Sequence, residues 1–475
     1  MFNINCRKIN MKNLRNALVV AFVLIATTAM AATPKYIFYF IGDGMGLGQT
    51  QALRTYFKTV NDSLASLVHF YDFPVAGIVS TYSADSDITD SAAAGTALAC
   101  GSKTRNGMIG MDADTVALTS VAKKMKAAGR GVAVMSSVCI DDATPAAFYA
   151  SRPSRHDYYE IARQGVASGF DILAGAYFRD PYGVRAHTPG NVFAEYEAAG
   201  YTLVRGREGY TLPREASRVL WLDNDTTTEN RIGYAVDGDN GDMTLPCMVR
   251  AGIDYLYKRY PRGFFMMTEG GAIDHMGHSN DPSGLLGEML EFDAAVREAY
   301  EFYKRHPRET LIIITADHET GGLALGVEGS RGPALDNLQY AHVSKGEFSN
   351  ALRELLKSEG AKVQWSDVRQ FMQESLGLGS AIAITPGEEG ALMIALQDVI
   401  DSRGKDVKTL YANFDHLTNL IYTLYSRKYG LGWTTYSHSG NPVPFFAIGV
   451  GAERFDNQGW LDNTAIPRIL GGMVK

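Results

Sequence analysis

Four short apolar runs punctuate the chain, each rich in β-branched or aromatic residues: Tyr36–Ile41, Gly131–Met135, Phe264–Met267 and Leu311–Thr315. They are near-continuous rather than alternating, the pattern of strands buried on both faces of a parallel sheet. Amphipathic segments lie between them. Thr115–Ala128 sets Val116, Leu118, Val121 and Met125 on one side of a predicted helix, and Pro282–His306 repeats Leu285, Met289, Phe292 and Val296 at helical spacing. Strands alternating with helices predict an α/β fold with a central, mostly parallel β-sheet flanked by helices. Residues 331–430 break the rhythm. Glu347–Ser358, Ser366–Leu376, Glu388–Ser402 and Phe414–Tyr429 are helical in pattern with little strand between them, which reads as a helical insertion and a candidate cap over a site.

The first 31 residues differ from the rest. They carry Arg7, Lys8, Lys12 and Arg15 and no acid, then the apolar run Ala17–Ala26, then Ala29-Met30-Ala31. A basic start, a short apolar stretch and an A-x-A site read as a secretory signal peptide, with Met11 an alternative start. The run is too short to span a membrane comfortably, and no later stretch is long enough. This divides the chain into a 1–31 signal and a 32–475 domain, and predicts an exported protein, periplasmic or else secreted or cell-surface. Removing the signal takes the net charge from −7 to −11. An acidic chain is a poor candidate for nucleic-acid binding. Cys100, Cys139 and Cys247 remain, with no CxxC, so a thiolate metal site is not expected; one disulfide or three free thiols both fit.

The residues just past the strand ends carry the chemistry. Tyr36–Ile41 is followed by Gly42-Asp43-Gly44, Gly131–Met135 leads to Asp141-Asp142-Ala143-Thr144, Phe264–Met267 meets Thr268-Glu269-Gly270, and Leu311–Thr315 meets Ala316-Asp317-His318. Open α/β sheets bind ligands at the carboxyl ends of their strands. One carboxylate there is usually a solvated loop residue; four in one chain, two with neighbouring histidines, favour a metal cluster. The glycines after Asp43 do not fit G-x-G-x-x-G, because positions 47 and 49 are Leu and Gln, so a dinucleotide site is rejected. Asp274 and His278 stand four apart and would share a helix face. His275, His278, His318 and His438 all fall in Gly/Asp-rich turns. Carboxylate plus imidazole without thiolate is a catalytic rather than structural zinc set. Ser91 opens a helix of small residues behind Asp90. It is either part of an ordinary cap or, beside a metal cluster, a nucleophile at an anion-binding helix terminus.

These motifs resemble the alkaline phosphatases: Asp43 in Gly-Asp-Gly-Met-Gly, Thr89-Asp90-Ser91-Ala92, Asp142-Ala-Thr144-Pro-Ala-Ala, Glu269-Gly-Gly-Ala-Ile-Asp274, Thr315-Ala-Asp317-His318 and His438-Ser-Gly. They occur in the family's order across residues 36–450. The resemblance implies a three-layer α/β sandwich, hydrolysis of small-molecule phosphate monoesters through a phosphoserine at Ser91, and a homodimer. It also implies two Zn2+ and one Mg2+. Asp274, His278 and His438 resemble the ligands of the first zinc, and Asp43, Asp317 and His318 those of the second. Asp43, Thr144 and Glu269 resemble those of magnesium, in the bacterial Asp142/Thr144 pattern. Arg155, thirteen residues after Asp142, matches the phosphate-binding arginine; Arg152 is a nearby distractor. Ser439 stands where the family commonly has threonine. Sulfatases of the same superfamily carry C/S-x-P-x-R, which Ser91-Ala-Ala-Ala-Gly lacks. A diesterase typically lacks the third metal, and a non-catalytic binding protein would have lost a ligand or the nucleophile.

Overall fold

Seven-residue stretches with no exposed side chain form the centre of the protein: β1 (Tyr36–Gly42), β7 (Phe264–Gly270) and β8 (Thr310–Ala316) are buried throughout. This computed structural model describes residues 33–474 except 61–62, 225–230, 239–242, 328, 331, 360–362 and 457–458, so the predicted signal peptide lies outside the described residues. Flanking strands are β2 (Val75–Ser80), β3 (Gly131–Ser136), β4 (Ile172–Gly175), β5 (Tyr201–Arg205), β6 (Arg218–Leu222), β9 (Val443–Gly449) and β10 (Trp460–Asp462). They form one ten-stranded sheet in the order β10-β2-β9-β8-β1-β7-β3-β4-β6-β5. Only β9 runs antiparallel to its neighbours. With helices flanking it, the sheet makes the three-layer α/β sandwich expected from the sequence.

Register positions the site. Gly42 at the end of β1 pairs with Gly270 of β7 and Ala316 of β8, and Ser136 of β3 pairs with Glu269. Four strands therefore stop at one level, and the residues at and just past their ends gather in one crevice at the carboxyl edge.

The helix Pro282–Arg305 buries Leu285, Met289, Phe292 and Val296, as their spacing requires. The helix expected over Thr115–Ala128 is shorter, Val121–Ala127. Ser120 accepts from Lys123 N–H and starts the helix there. Upstream, the Asp112 side chain takes the Val116 N–H, Thr115 adopts φ +67°, and Leu118 donates to the Gly110 carbonyl. Val116 is left 59% exposed. Local turn chemistry thus overrides the helical spacing of Val116 and Leu118.

Between β8 and β9 the chain forms helices Lys345–Glu359, Trp365–Leu376, Pro386–Ile400 and His416–Lys428, close to the four read from the sequence. A two-stranded hairpin, Val407–Lys408 against Asn413–Phe414, lies among them. Cys100, Cys139 and Cys247 are free thiols. Among the described residues no helix is long and apolar enough to cross a membrane.

Candidate active site

Asp43 follows β1 directly. Gly44 turns the chain away at φ +72°, and a Cβ there would lie 2.9 Å from Asp274 Cα. Asp317 is fixed from three sides: Gly44 N–H and His318 N–H donate to its Oδ1 (3.2 and 2.8 Å), and the Thr144 hydroxyl donates to Oδ2 (3.1 Å). The Ser136 hydroxyl donates to Glu269 Oε2. Asp274 and His278 share one face of the helix Ala272–Ser279, with Oδ2 and Nε2 3.4 Å apart.

Ser91 is the first residue of the helix Ser91–Cys100. Asp90 caps it by accepting from Ala93 N–H at 2.9 Å. The small residues allow the Thr144 turn to approach: a Cβ on Gly95 would lie 3.0 Å from Thr144 Cα. Ser91 Oγ lies 3.1 Å from His318 Nε2.

Hydrogen bonds set the tautomers of three imidazoles. His278 Nδ1 meets the Tyr436 carbonyl at 2.6 Å and His438 Nδ1 the Thr89 carbonyl at 2.9 Å, so both must donate there. The Thr320 hydroxyl gives its only proton to Asp274 Oδ1 (2.5 Å), and its oxygen lies 3.2 Å from His318 Nδ1, which must donate to it. All three rings therefore turn an Nε2 lone pair inward. Burial first, then His438, pushes the His318 pKa well down and keeps it neutral.

Three of the carboxylates, Asp43, Glu269 and Asp317, need positive charge that no neighbouring side chain supplies in full. Burial, then Asp317, Asp274 and Glu269, pushes Asp43 well above the usual range. Burial raises Glu269 to about 8 and Asp317 to about 6. Asp43 Oδ1, Glu269 Oε1 and His278 Nε2 are buried without a hydrogen-bond partner. Such orphaned atoms are costly unless an ion takes them up. Asp43, Asp317 and His318 bring ligand atoms within 4.8 Å of one another, and so do Asp274, His318 and His438. The donors fit cations in kind: carboxylate with imidazole suits zinc, and the all-oxygen set Asp43, Thr144 and Glu269 suits magnesium.

Arg155 lies beside this cluster, donating to Asp90 Oδ2 (3.3 Å) and Asp142 Oδ1 (3.1 Å). Arg152 instead pairs with Asp157. Burial alone would raise the Asp142 pKa, but Arg179 and Arg155 hold it well below the usual range. His275 is buried between Tyr234, whose hydroxyl is 3.1 Å from Nδ1, and the Tyr411 ring; burial pushes its pKa down to about 3.

All ten residues read from the sequence are thus gathered at one crevice. Sequence reasoning missed Thr320, Tyr411 and Arg179. Thr320 had a signal, two residues past His318. Tyr411, whose hydroxyl donates to Asp274 Oδ2 at 3.0 Å, and Arg179, which donates to Asp142, had none.

Fold and site together define an α/β protein with a buried carboxylate–imidazole cluster whose donors suit cations. The family model for alkaline phosphatase matches residues 34–174 and 182–475. Alkaline phosphatase 4 of Bacillus subtilis is 28% identical over 93% of this chain and 89% of its own length; alkaline phosphatase 3 of the same organism is 30% identical over 91% and 87%. The crystal structure of a cold-active alkaline phosphatase from a psychrophilic Shewanella superposes with a TM-score of 0.76 at 27% identity, over 93% of this chain and all of that one. The chain belongs to the alkaline phosphatase family, and its activity is the hydrolysis of phosphate monoesters.

Proposed function

We propose that hydrolysis proceeds through a phosphoserine at Ser91, in a site holding two Zn2+ and one Mg2+. The observation that carries this is the setting of Ser91 Oγ, at a helix N-terminus, 3.1 Å from His318 Nε2 and beside Arg155. Asp274, His278 and His438 would hold the first zinc and Asp43, Asp317 and His318 the second. Asp43, Thr144 and Glu269 would hold magnesium. When bound, the cations supply Lewis-acid stabilisation of the attacking and departing oxygens and acidify water.

The chain's own residues do the rest. Arg155 has five N–H donors, so those not engaged with Asp90 and Asp142 can fork onto two non-bridging phosphate oxygens. Unpaired N–H groups at the start of the Ser91 helix favour the anion. Ser91 Oγ forms a bond to phosphorus in line as the ester P–O bond breaks, and the alcohol leaves with the proton that Ser91 gives up. Water then cleaves the Ser91–phosphate bond, returns a proton to Oγ and releases orthophosphate. The carbonyls of Tyr436 and Thr89 keep His278 and His438 in the ligating tautomer throughout. Tyr411 reaches Asp274 from the segment between β8 and β9, which supports reading residues 331–430 as a cap. The basic and apolar start of the chain supports export to the periplasm.

The test is direct. Acid quenching during turnover of a labelled monoester should leave phosphate on the peptide containing Ser91. Ser91→Ala should lose most turnover, with fold and zinc content kept. Undiminished activity in that variant would rule out Ser91 as nucleophile.

A further inference from the structure

We infer that the cleft between Ile88 and the tip of the Val407–Phe414 hairpin receives the alcohol half of the substrate, and selects phosphate monoesters whose alcohol is apolar or aromatic. This rests on Ser91 being the nucleophile. The cleft holds about 470 Å3 and is lined by Ile88, Asp90, Lys408, Leu410, His278 and His438 among others. It shares His278 and His438 with the cation cluster and Asp90 with Arg155.

In-line displacement sends the leaving oxygen away from the attacking one. Ser91 Oγ lies against His318; the His318 ring stacks on His438 at 3.6 Å, and His438 neighbours His278 at 5.0 Å. Moving along this row of rings away from Ser91 leads into the cleft.

Two aliphatic side chains stand open on its walls, among polar neighbours such as Asn106 and Ser437. Leu410 is 62% exposed and Ile88 46% exposed, which leaves apolar area for a ligand to cover. Leu410 is not on a free loop. Thr409 N–H donates to the Ala412 carbonyl (2.8 Å) and closes the hairpin tip. The adjacent Tyr411 turns inward, with its hydroxyl on Asp274 Oδ2 and its ring 3.9 Å from His275. One residue thus ties the hairpin to the site while its neighbour faces the cleft. Lys408 adds the cation of this wall and is exposed.

The holoenzyme should be assayed on 1-naphthyl phosphate and on glycerol 2-phosphate. Leu410→Ser and Ile88→Ser should each lower the ratio of the two kcat/KM values by roughly 3- to 10-fold, the scale of losing an apolar contact in a partly open pocket. Leu410→Phe should keep or raise it. The inhibition constant of 1-naphthylphosphonate should rise by a similar factor in the serine variants, while that of inorganic phosphate, which has no alcohol half, stays unchanged. An unchanged ratio overturns the inference. So does equal loss on both substrates, a changed oligomeric state in place of changed selectivity, or a preference for a second anionic group that disappears in Lys408→Ala. Binding of the phosphonate does not need a nucleophile, so loss of Ser91 as nucleophile and loss of the subsite give different results.

Discussion

Replacing Arg155 by alanine tests the phosphate site against its own neighbour in sequence. In the folded protein the guanidinium spans Asp90 and Asp142, with its side chain 17% exposed. Removing it does not strand either acid. Asp142 keeps Arg179 and Ala143 N–H, and Asp90 keeps Ala93 N–H and Gly107 N–H. The stability cost should therefore stay near about 1–3 kcal/mol. Phosphate loses a charge-assisted fork, whose bonds are worth about 1.5–3 kcal/mol each. A net loss of ~3 kcal/mol raises the inhibition constant for inorganic phosphate roughly 100-fold. Arg155→Lys keeps the charge without the fork and should fall between. Arg152 pairs with Asp157, each 31% exposed. Such a pair is worth about 0–1 kcal/mol, so Arg152→Ala should leave phosphate inhibition within about 3-fold. The assay is competitive inhibition by phosphate during monoester turnover, with thermal melting as the control for folding. If Arg152→Ala weakened phosphate more than Arg155→Ala did, the assignment of the arginine would be wrong.

Chelation should abolish activity, with zinc restoring it and magnesium raising it further; a metal-free preparation with full activity would contradict the cation site. Thr320→Val removes the hydroxyl that orients both Asp274 and His318, and should weaken zinc binding by roughly 10- to 100-fold in a competition titration; unchanged affinity would mean the ligands are held by other contacts. In the cation-free protein the raised Glu269 and Asp317 hold protons that the unfolded chain releases. Their contribution to stability is full below about pH 4 and is lost as pH rises through about 6 and 8. Denaturant titration of chelated protein should thus show falling stability from pH 5 to 8, by about 1.4 kcal/mol per pH unit for each proton retained, with the loaded protein much less affected. A flat profile for the chelated protein would refute this.

The parts of the protein legible in the sequence are those whose physics is local. β1 and β8 are near-continuous apolar runs because both faces of a central strand are buried, and the residue after each is where the chain leaves the sheet; in β7 the apolar run stops at Met267, and Glu269 sits at the carboxyl end of the strand itself, paired with Ser136. Asp43, Asp317 and Glu269 could therefore be found without knowing which strands are neighbours. Asp274 and His278 were found because one helical turn carries both. The misplaced helix start has a local cause as well: Asp112 and Ser120 offer side-chain acceptors to backbone N–H groups, and those bonds outweigh the spacing of Val116 and Leu118. Arg179 and Tyr411 could not be read, because they meet Asp142 and Asp274 across 37 and 137 residues. Nothing near either residue in sequence records that meeting. Thr320 is intermediate, since it is adjacent to a motif yet contacts Asp274 across 46 residues.

The same distinction between local and long-range resolves the charge. A chain with net charge −7 looks ill-suited to a dianionic substrate. Yet Asp43, Glu269, Asp274 and Asp317 are all buried, and with three of them pushed up by burial and by each other, they act as a demand for cations rather than as a field facing solvent. Asp142 is the counterexample that clarifies the rule. It is as deeply buried, but two arginines meet it, and it stays ionised. Where side chains supply the positive charge, the acid is settled; where they do not, the proposed metals must. Four of the acids that count toward the negative average are therefore the ones whose demand for cations makes the proposed phosphate site positive.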